Sequence, residues 1–240
     1  KAHIEYFKYI ETIYQTKYEI LKSDRLRRAY IYEENKSFTP PDMPYIPAVY
    51  FPQNVGHVEA TLEGTSFSLE IGGKSLEFQT KILGTFNVIN ISAAIAIAKD
   101  LGMEYENIIK QVQKLEPIEH RLNKISTYDK LILDDSYNGN IDGMLESIRI
   151  ASLHHGRKVI VTPGLIESDE ESNLILAKAM DDIFDIVIIT GELNAKILKD
   201  NIYKPLKIVL KDKNSIEGIL KSTTQSGDLI LFANDAPSYI

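Results

Sequence analysis

Cysteine is absent from the 240 residues, and so is tryptophan. The first absence removes disulfides, thiolate nucleophiles and cysteine-ligated zinc together, and it suits a reducing, cytoplasmic setting. No eighteen apolar residues run together, so no segment reads as a membrane-spanning helix, and no basic-then-apolar leader is read either. Positive charge is scarce: 27 Lys and Arg against 34 Asp and Glu leave a formal −7. That balance argues against a nucleic-acid polyanion as the main partner. The five histidines show neither a metal-type spacing nor a Ser/His/Asp order. A phosphate loop is missing too. The one Gly-rich candidate, IGGKS at 71–75, has Ser68 where the first loop glycine must stand and lies between alternating strands, so it reads as a hairpin turn.

What remains has the makeup of a globular protein, 44% hydrophobic and 25% charged. Ile4, Phe7, Ile10, Tyr14, Tyr18 and Leu21 recur at helical spacing over residues 4–22. The four prolines of 34–47 predict an irregular crossing. Residues 57–83 read as three alternating strands, followed by helices over 87–102 and 104–115. After Pro117 the rhythm changes. The runs KLILD, KVIVT, DIVIIT, LKIVL and DLILF alternate with helical stretches at 141–154, 169–183, 193–200 and 215–223. Continuous Val/Ile/Leu strands alternating with helices predict a parallel sheet covered on both faces. A domain boundary is therefore expected near 117–123.

In such a sheet, ligands sit beyond the carboxyl ends of the strands. The stretch LDDSYNGN, 133–140, is the first strand end of this second part, and it packs polar residues around Gly139. It reads either as a turn or as a ligand site. Asp134 and Asp135 could cap the next helix or accept ribose hydroxyls. TPGLIE, 162–167, is a second strand-end loop carrying an acid. Arg121, in the connection between the two parts, could be solvated or could hold a phosphate. Asn87 suits a helix N-cap. Asn90, on a stripe that should pack, could offer its amide to an adenine edge.

Taken in order, the blocks AHIEYFKYIETIYQTKYEI (2–20), LGTFNVINISAAIAIAKDLG (83–102), EPIEHRL (116–122) and LDDSYNGNIDGMLESI (133–148) resemble the Mur ligases, the ATP-dependent amide ligases of peptidoglycan synthesis. The likeness runs from residue 2 to about 190. It implies an α/β chain in which 1–122 is the later part of a central ATP-binding domain with an antiparallel strand section. Residues 123–240 would form a Rossmann-like, mostly parallel C-terminal domain. It further implies ATP and Mg²⁺, with His3 as a magnesium ligand and Lys17 carbamylated to face that ion. Asn90 would read adenine, Arg121 would lie near the nucleotide, and Asp135 would hold the ribose, with Asn138 and Asn140 in the adjoining loop. The S-Y-N-G-N block points to D-alanyl-D-alanine and a UDP-N-acetylmuramoyl tripeptide as substrates of a cytoplasmic monomer. A folylpolyglutamate- or cyanophycin-type ligase, or a non-catalytic Mur-like module, are the alternatives. The family's phosphate loop and UDP-binding domain would precede Lys1, so the 240 residues alone are expected to be inactive. Phe86 and His120 stand where the family commonly has His and Gly.

Overall fold

The structure is a computed structural model that describes residues 9–41, 47–52, 54–137, 139–166 and 168–234. Two compact units are distinguished. The first runs through Lys81 and resumes over Thr85–Glu116, while the second takes Ile82–Gly84 and the chain from Pro117 onward.

In the first unit, helix α1 (Ile10–Tyr18) tightens into a 3-10 turn, Glu19–Lys22. Strands β1 (Ala29–Tyr32) and β2 (Ala48–Phe51) pair in parallel, from Ala29 opposite Ala48 to Tyr32 opposite Phe51. Neither strand is visible in the residue pattern, because four positions are too few to establish a period of two. A two-stranded ribbon has little stability of its own. Here Tyr18, Leu21, Ala29 and Ile31 bury together, and the Tyr14 and Phe38 rings stack with centroids 3.8 Å apart. The Tyr18 hydroxyl donates to the Asn35 carbonyl at 2.8 Å. The expected irregular crossing is in part ordered: Glu33–Phe38 is a 3-10 helix that stops short of Pro40 and Pro41, as proline requires.

Strands β3 (Val55–Ala60), β4 (Thr65–Ile71) and β5 (Lys74–Thr80) form the expected antiparallel meander. Gly72 and Gly73, at φ 58° and 74°, supply the left-handed pair that a two-residue hairpin needs. Phe67 and Phe78 sit opposite one another, fully buried, with ring centroids 5.2 Å apart. Helices α2 (Asn87–Asp100) and α3 (Tyr105–Val112) complete the unit.

The second unit is the strand–helix alternation foreseen from its rhythm. It comprises β6 (Asn123–Ser126), β7 (Leu131–Asp135), α4 (Ile141–Ser152), β8 (Lys158–Thr162), α5 (Glu170–Ile183), β9 (Ile186–Thr190), α6 (Ala195–Asn201), β10 (Leu206–Leu210), α7 (Ile216–Thr223) and β11 (Leu229–Ala233). The sheet order is β10-β9-β8-β11-β7-β6, parallel throughout except for the β6–β7 pair. Every residue of β9 and β11 is buried, which is why those strands read as unbroken apolar runs. The fold class is thus α/β, with an antiparallel section in one unit and a mostly parallel sheet in the other.

Beneath the sheet's amino-terminal edge, Asp228, 1% exposed, takes a two-pronged bond from Arg157, with Nε to Oδ1 at 3.2 Å and Nη2 to Oδ2 at 2.8 Å. Burial alone would push its carboxyl up. The guanidinium and the Gln225 N–H outweigh that and hold it below the usual carboxylate range.

Phe78→Ala is expected to cost about 3–5 kcal/mol through lost burial and the cavity left behind. Urea unfolding followed by a probe in the first unit measures it; a loss under about 1 kcal/mol would mean the Phe67–Phe78 stack is not a core contact.

Candidate functional site

All strands of a parallel sheet end on one edge, and β7, β11 and β8 are neighbours there. Their exits are therefore side by side: Asp134–Asp135 into Ser136, Ala233 into Asn234, and Thr162 into Pro163–Gly164. Asn234 ties all three. With its backbone left-handed at φ 61°, it donates its N–H to the Asp135 carbonyl at 3.0 Å. Its side-chain oxygen accepts from Gly139 N at 3.0 Å, and its amide donates to the Gly164 carbonyl at 2.8 Å.

The loop after β8 is held from two further elements. Asn173 of α5, 1% exposed, accepts from Leu165 N at 3.0 Å and donates to Leu165 O at 3.1 Å. Asn194 donates to Pro163 O at 3.0 Å and Leu165 O at 2.9 Å. Gly164 has φ 76°, and a Cβ there would stand 2.6 Å from the Asn173 oxygen, so a side chain does not fit.

The connection ahead of β6 folds back onto the same lip. His120 and Leu122 both have left-handed backbone, at φ 63° and 48°. The His120 carbonyl accepts from Tyr137 N at 3.1 Å, and its Nδ1 lies 2.8 Å from Asp134 Oδ2. Asp134 is 2% exposed and also accepts from the Ser136 hydroxyl at 2.6 Å. Asp135 accepts from Leu122 N at 3.1 Å through Oδ1 and from the Ser147 hydroxyl of α4 through Oδ2. Arg121, between the two left-handed residues, is exposed, and its guanidinium carbon lies 4.0 Å from the centre of the Tyr137 ring.

Burial raises the Asp135 carboxyl above its ordinary range, against the opposing pull of Ser147, the Leu122 N–H and the Arg121 charge. The acid is therefore held at a cost, and nearby positive charge on the exposed side favours its ionised form.

Of the residues singled out from the sequence, Arg121 and Asp135 are gathered at this lip. Neither Asp134 nor Asp135 caps the following helix; Asn140 does, its side-chain oxygen accepting from Gly143 N at 2.9 Å. Asn138 and His3, like Glu167, lie outside the described residues. Lys17 and Asn90 belong to the first unit. Asn90 lies exposed in the first turn of α2, off the buried stripe of Val88, Ile91, Ser92 and Ile95, which corrects the expectation that it packs. Its amide donates to Asn87 Oδ1 at 3.2 Å. Asn87 is the first helical residue rather than the N-cap; Phe86 holds the cap position without a side-chain bond.

Lys17 is exposed in the last turn of α1 and lines a cavity of about 460 Å³ with Tyr14, Arg28, Tyr30, Tyr32 and Phe51. Among the described residues no group of three or more His, Asp or Glu could hold a metal ion. As an amine Lys17 repels a cation, so it suits a magnesium ion only as a carbamate. Asn173, Asn194, Asn234 and Ser147 have no counterpart in the sequence reading. Asn173 and Ser147 could have been found as polar residues on the apolar stripes of their helices.

Fold and lip together define an α/β protein whose second unit has the polar strand-end edge at which such sheets take ligands. Residues 1–98 match the family model described as Mur ligase middle domain, and the curated relatives that the chain resembles include several Mur ligases. It is 32% identical over 189 residues to the UDP-N-acetylmuramoyl-tripeptide–D-alanyl-D-alanine ligase of Bacillus subtilis, covering 73% of this chain and 40% of the relative. To the Escherichia coli enzyme of the same name it is 28% identical over 117 residues, 48% of this chain and 26% of that one. The chain thus spans well under half the length of these relatives. A MurF ligase from Thermotoga maritima, solved in complex with ADP, superposes with a TM-score of 0.81 over 98% of this chain and 56% of that chain at 21% identity, which establishes the shared fold.

The raised carboxyl fixes the sign of a stability effect. A carboxyl whose folded pKa is above its unfolded value favours folding below the unfolded pKa and loses that contribution as pH rises through the folded pKa. Asp135→Asn, which keeps an oxygen for Leu122 N, is expected to raise the melting temperature at neutral pH. The gain should shrink as the pH falls toward the ordinary aspartate range. Calorimetry across that range checks it, and a variant less stable than the parent at neutral pH would contradict the assigned cost.

Proposed function

We propose that the chain is the later portion of an ATP-dependent ligase of peptidoglycan precursor synthesis, which joins D-alanyl-D-alanine to a UDP-N-acetylmuramoyl tripeptide in the cytoplasm. Residues 1–122 would be the end of its central ATP-binding domain and 123–240 its C-terminal domain. The observation that carries the reading is the lip itself. Arg121 projects a guanidinium beside Asp135, a half-buried carboxylate at a strand end with only some of its acceptor positions used. That pairing of an exposed cation, with no carboxylate partner among the described residues, and a fixed acceptor suits a ligand carrying both phosphate and vicinal hydroxyls. The curated relatives supply the choice of acceptor.

In this reading the γ-phosphoryl of ATP passes to the tripeptide carboxylate, and the amine of D-alanyl-D-alanine displaces phosphate from the resulting acyl phosphate. There is little covalent work for the protein, so positioning and charge stabilisation supply the rate. Asp135 would accept from ribose hydroxyls, and Arg121 would offset phosphate charge. Asn90 would present its amide to adenine. Asn138, three positions after Asp135 in sequence, would join the nucleotide-binding set, and Asn140 would act by fixing the start of α4. His3 and a carbamylated Lys17 would face Mg²⁺; the labile group on Lys17 is checked by a carbon-13 carbamate signal after exchange with labelled bicarbonate.

Asp135→Ala in the complete gene product should raise KM for ATP about 10- to 100-fold, the loss of hydrogen bonds to a charged group, with the fold intact by circular dichroism. The assay is phosphate release that depends on both the tripeptide nucleotide and D-alanyl-D-alanine. An unchanged KM removes Asp135 from the nucleotide site, and release indifferent to the dipeptide removes the acceptor assignment.

A further inference from the structure

Arg121 carries more structure around it than a solvated arginine needs. Left-handed backbone at a non-glycine residue is uncommon and costs free energy, and here it occurs on both sides of the same arginine, at His120 and Leu122. Each neighbour is fastened. His120 is held through its carbonyl by Tyr137 N and through its ring by the buried Asp134, and Leu122 is held through its N–H by Asp135. The two turns throw the Arg121 side chain outward, where one face of the guanidinium rests on the Tyr137 ring. Tyr137 is itself 56% exposed, so the stack is not incidental to core packing. Among the described residues no carboxylate forms an ion pair with Arg121, in a chain of net charge −7. The fork is held and left open.

The geometry points to His120 and Tyr137 as positioning residues that preset the Arg121 guanidinium for a phosphate-bearing ligand, an inference that rests on the proposed nucleotide site. Tyr137 supplies a cation–π platform that limits the rotamers of a long side chain, and the His120–Asp134 contact fixes the backbone from which that side chain leaves. A guanidinium ordered before the ligand arrives loses less conformational freedom on binding than a solvated one. The imidazole does not act on the ligand in this scheme; its work is done through Arg121.

The test is ADP affinity of the complete gene product by titration calorimetry, with melting temperature as a control. Arg121→Gln should weaken ADP binding about tenfold or more, as loss of a charge-assisted contact does. Tyr137→Leu should weaken it about two- to fivefold, the range of an exposed cation–π contact, at an unchanged melting temperature. Tyr137→Phe, which keeps the ring, should recover that loss. In an Arg121→Gln background Tyr137→Leu should add nothing, because its effect runs through the guanidinium. His120→Gly keeps the left-handed backbone and removes the ring contact, and should weaken binding by a similar small factor; His120→Asn, which tolerates the same backbone and can bond Asp134, should recover it. If Arg121→Gln weakens binding while Tyr137→Leu does not, or if Tyr137→Leu weakens it equally without Arg121, the positioning role is overturned. If Arg121→Gln itself leaves ADP affinity unchanged, the nucleotide site fails first and takes this inference with it.

Discussion

The last strand of the second unit is threaded into the middle of its sheet, and the arrangement of the lip follows from that. Because β11 lies between β7 and β8, three chain exits crowd onto one short stretch of edge. Backbone groups beyond the final ladder bond must find partners or be left unsatisfied. The partners are side-chain amides: Asn234 closes the gap between the β7 and β8 loops, and Asn173 and Asn194 hold the β8 loop from behind. An amide carries donor and acceptor together, so one asparagine can answer both a carbonyl and an N–H where a hydroxyl or a carboxylate serves less well. The outcome is an edge of loops tied as firmly as the strands beneath it.

That firmness allows strain to be carried at the lip. His120, Leu122 and Asn234 hold left-handed backbone without being glycine, at a cost of order 1–3 kcal/mol each. Of the four such non-glycine residues among the described ones, only Asn54 of the first unit lies elsewhere: of the other three, two flank Arg121 and the third bonds the Asp135 carbonyl. Each is fastened by at least one hydrogen bond to the β7 exit or its neighbours. Within the second unit, local conflict with backbone preference gathered at one edge is the expected signature of a site rather than of packing.

How much of this the residues disclose depends on how local the cause is. The five parallel strands and four helices after Pro117 are written in runs long enough to show a pattern, and Gly72-Gly73 announces its hairpin because the turn needs positive φ at both positions. Asp135 and Arg121 could be named because strand-end acids and interdomain arginines are recurrent chemistry, helped by resemblance. Strands β1, β2 and β6 are four residues each and carry no readable alternation. Asp134 and Asp135 read as possible caps because aspartate caps well, yet the cap is Asn140, because α4 begins after it. His120 was opaque for a different reason. Its partner Asp134 is fourteen positions away, and nothing local says that a left-handed turn will bring them together.

Two aspartates at opposite ends of the same sheet, Asp228 buried and Asp135 half-buried, differ in how the fold answers their charge. Both suffer desolvation. At the amino-terminal edge Asp228 is answered by a two-pronged arginine and an N–H, and its carboxyl falls below the usual range. Its contribution to stability is therefore present at neutral pH and lost as acid protonates it. At the carboxyl edge Asp135 receives hydrogen bonds but, among the described residues, no directed cation: Arg121 acts on it through charge, and its guanidinium is turned to the Tyr137 face. Its carboxyl consequently rises, and its ionised form costs stability where Asp228 contributes it. A core that wanted only to hold itself together would pair both acids in the same way. Leaving Asp135 under-answered beside an arginine that has no carboxylate partner among the described residues creates a deficit at one place on the surface, and in the proposed reading a ligand bearing hydroxyls and phosphate would make up both halves of it.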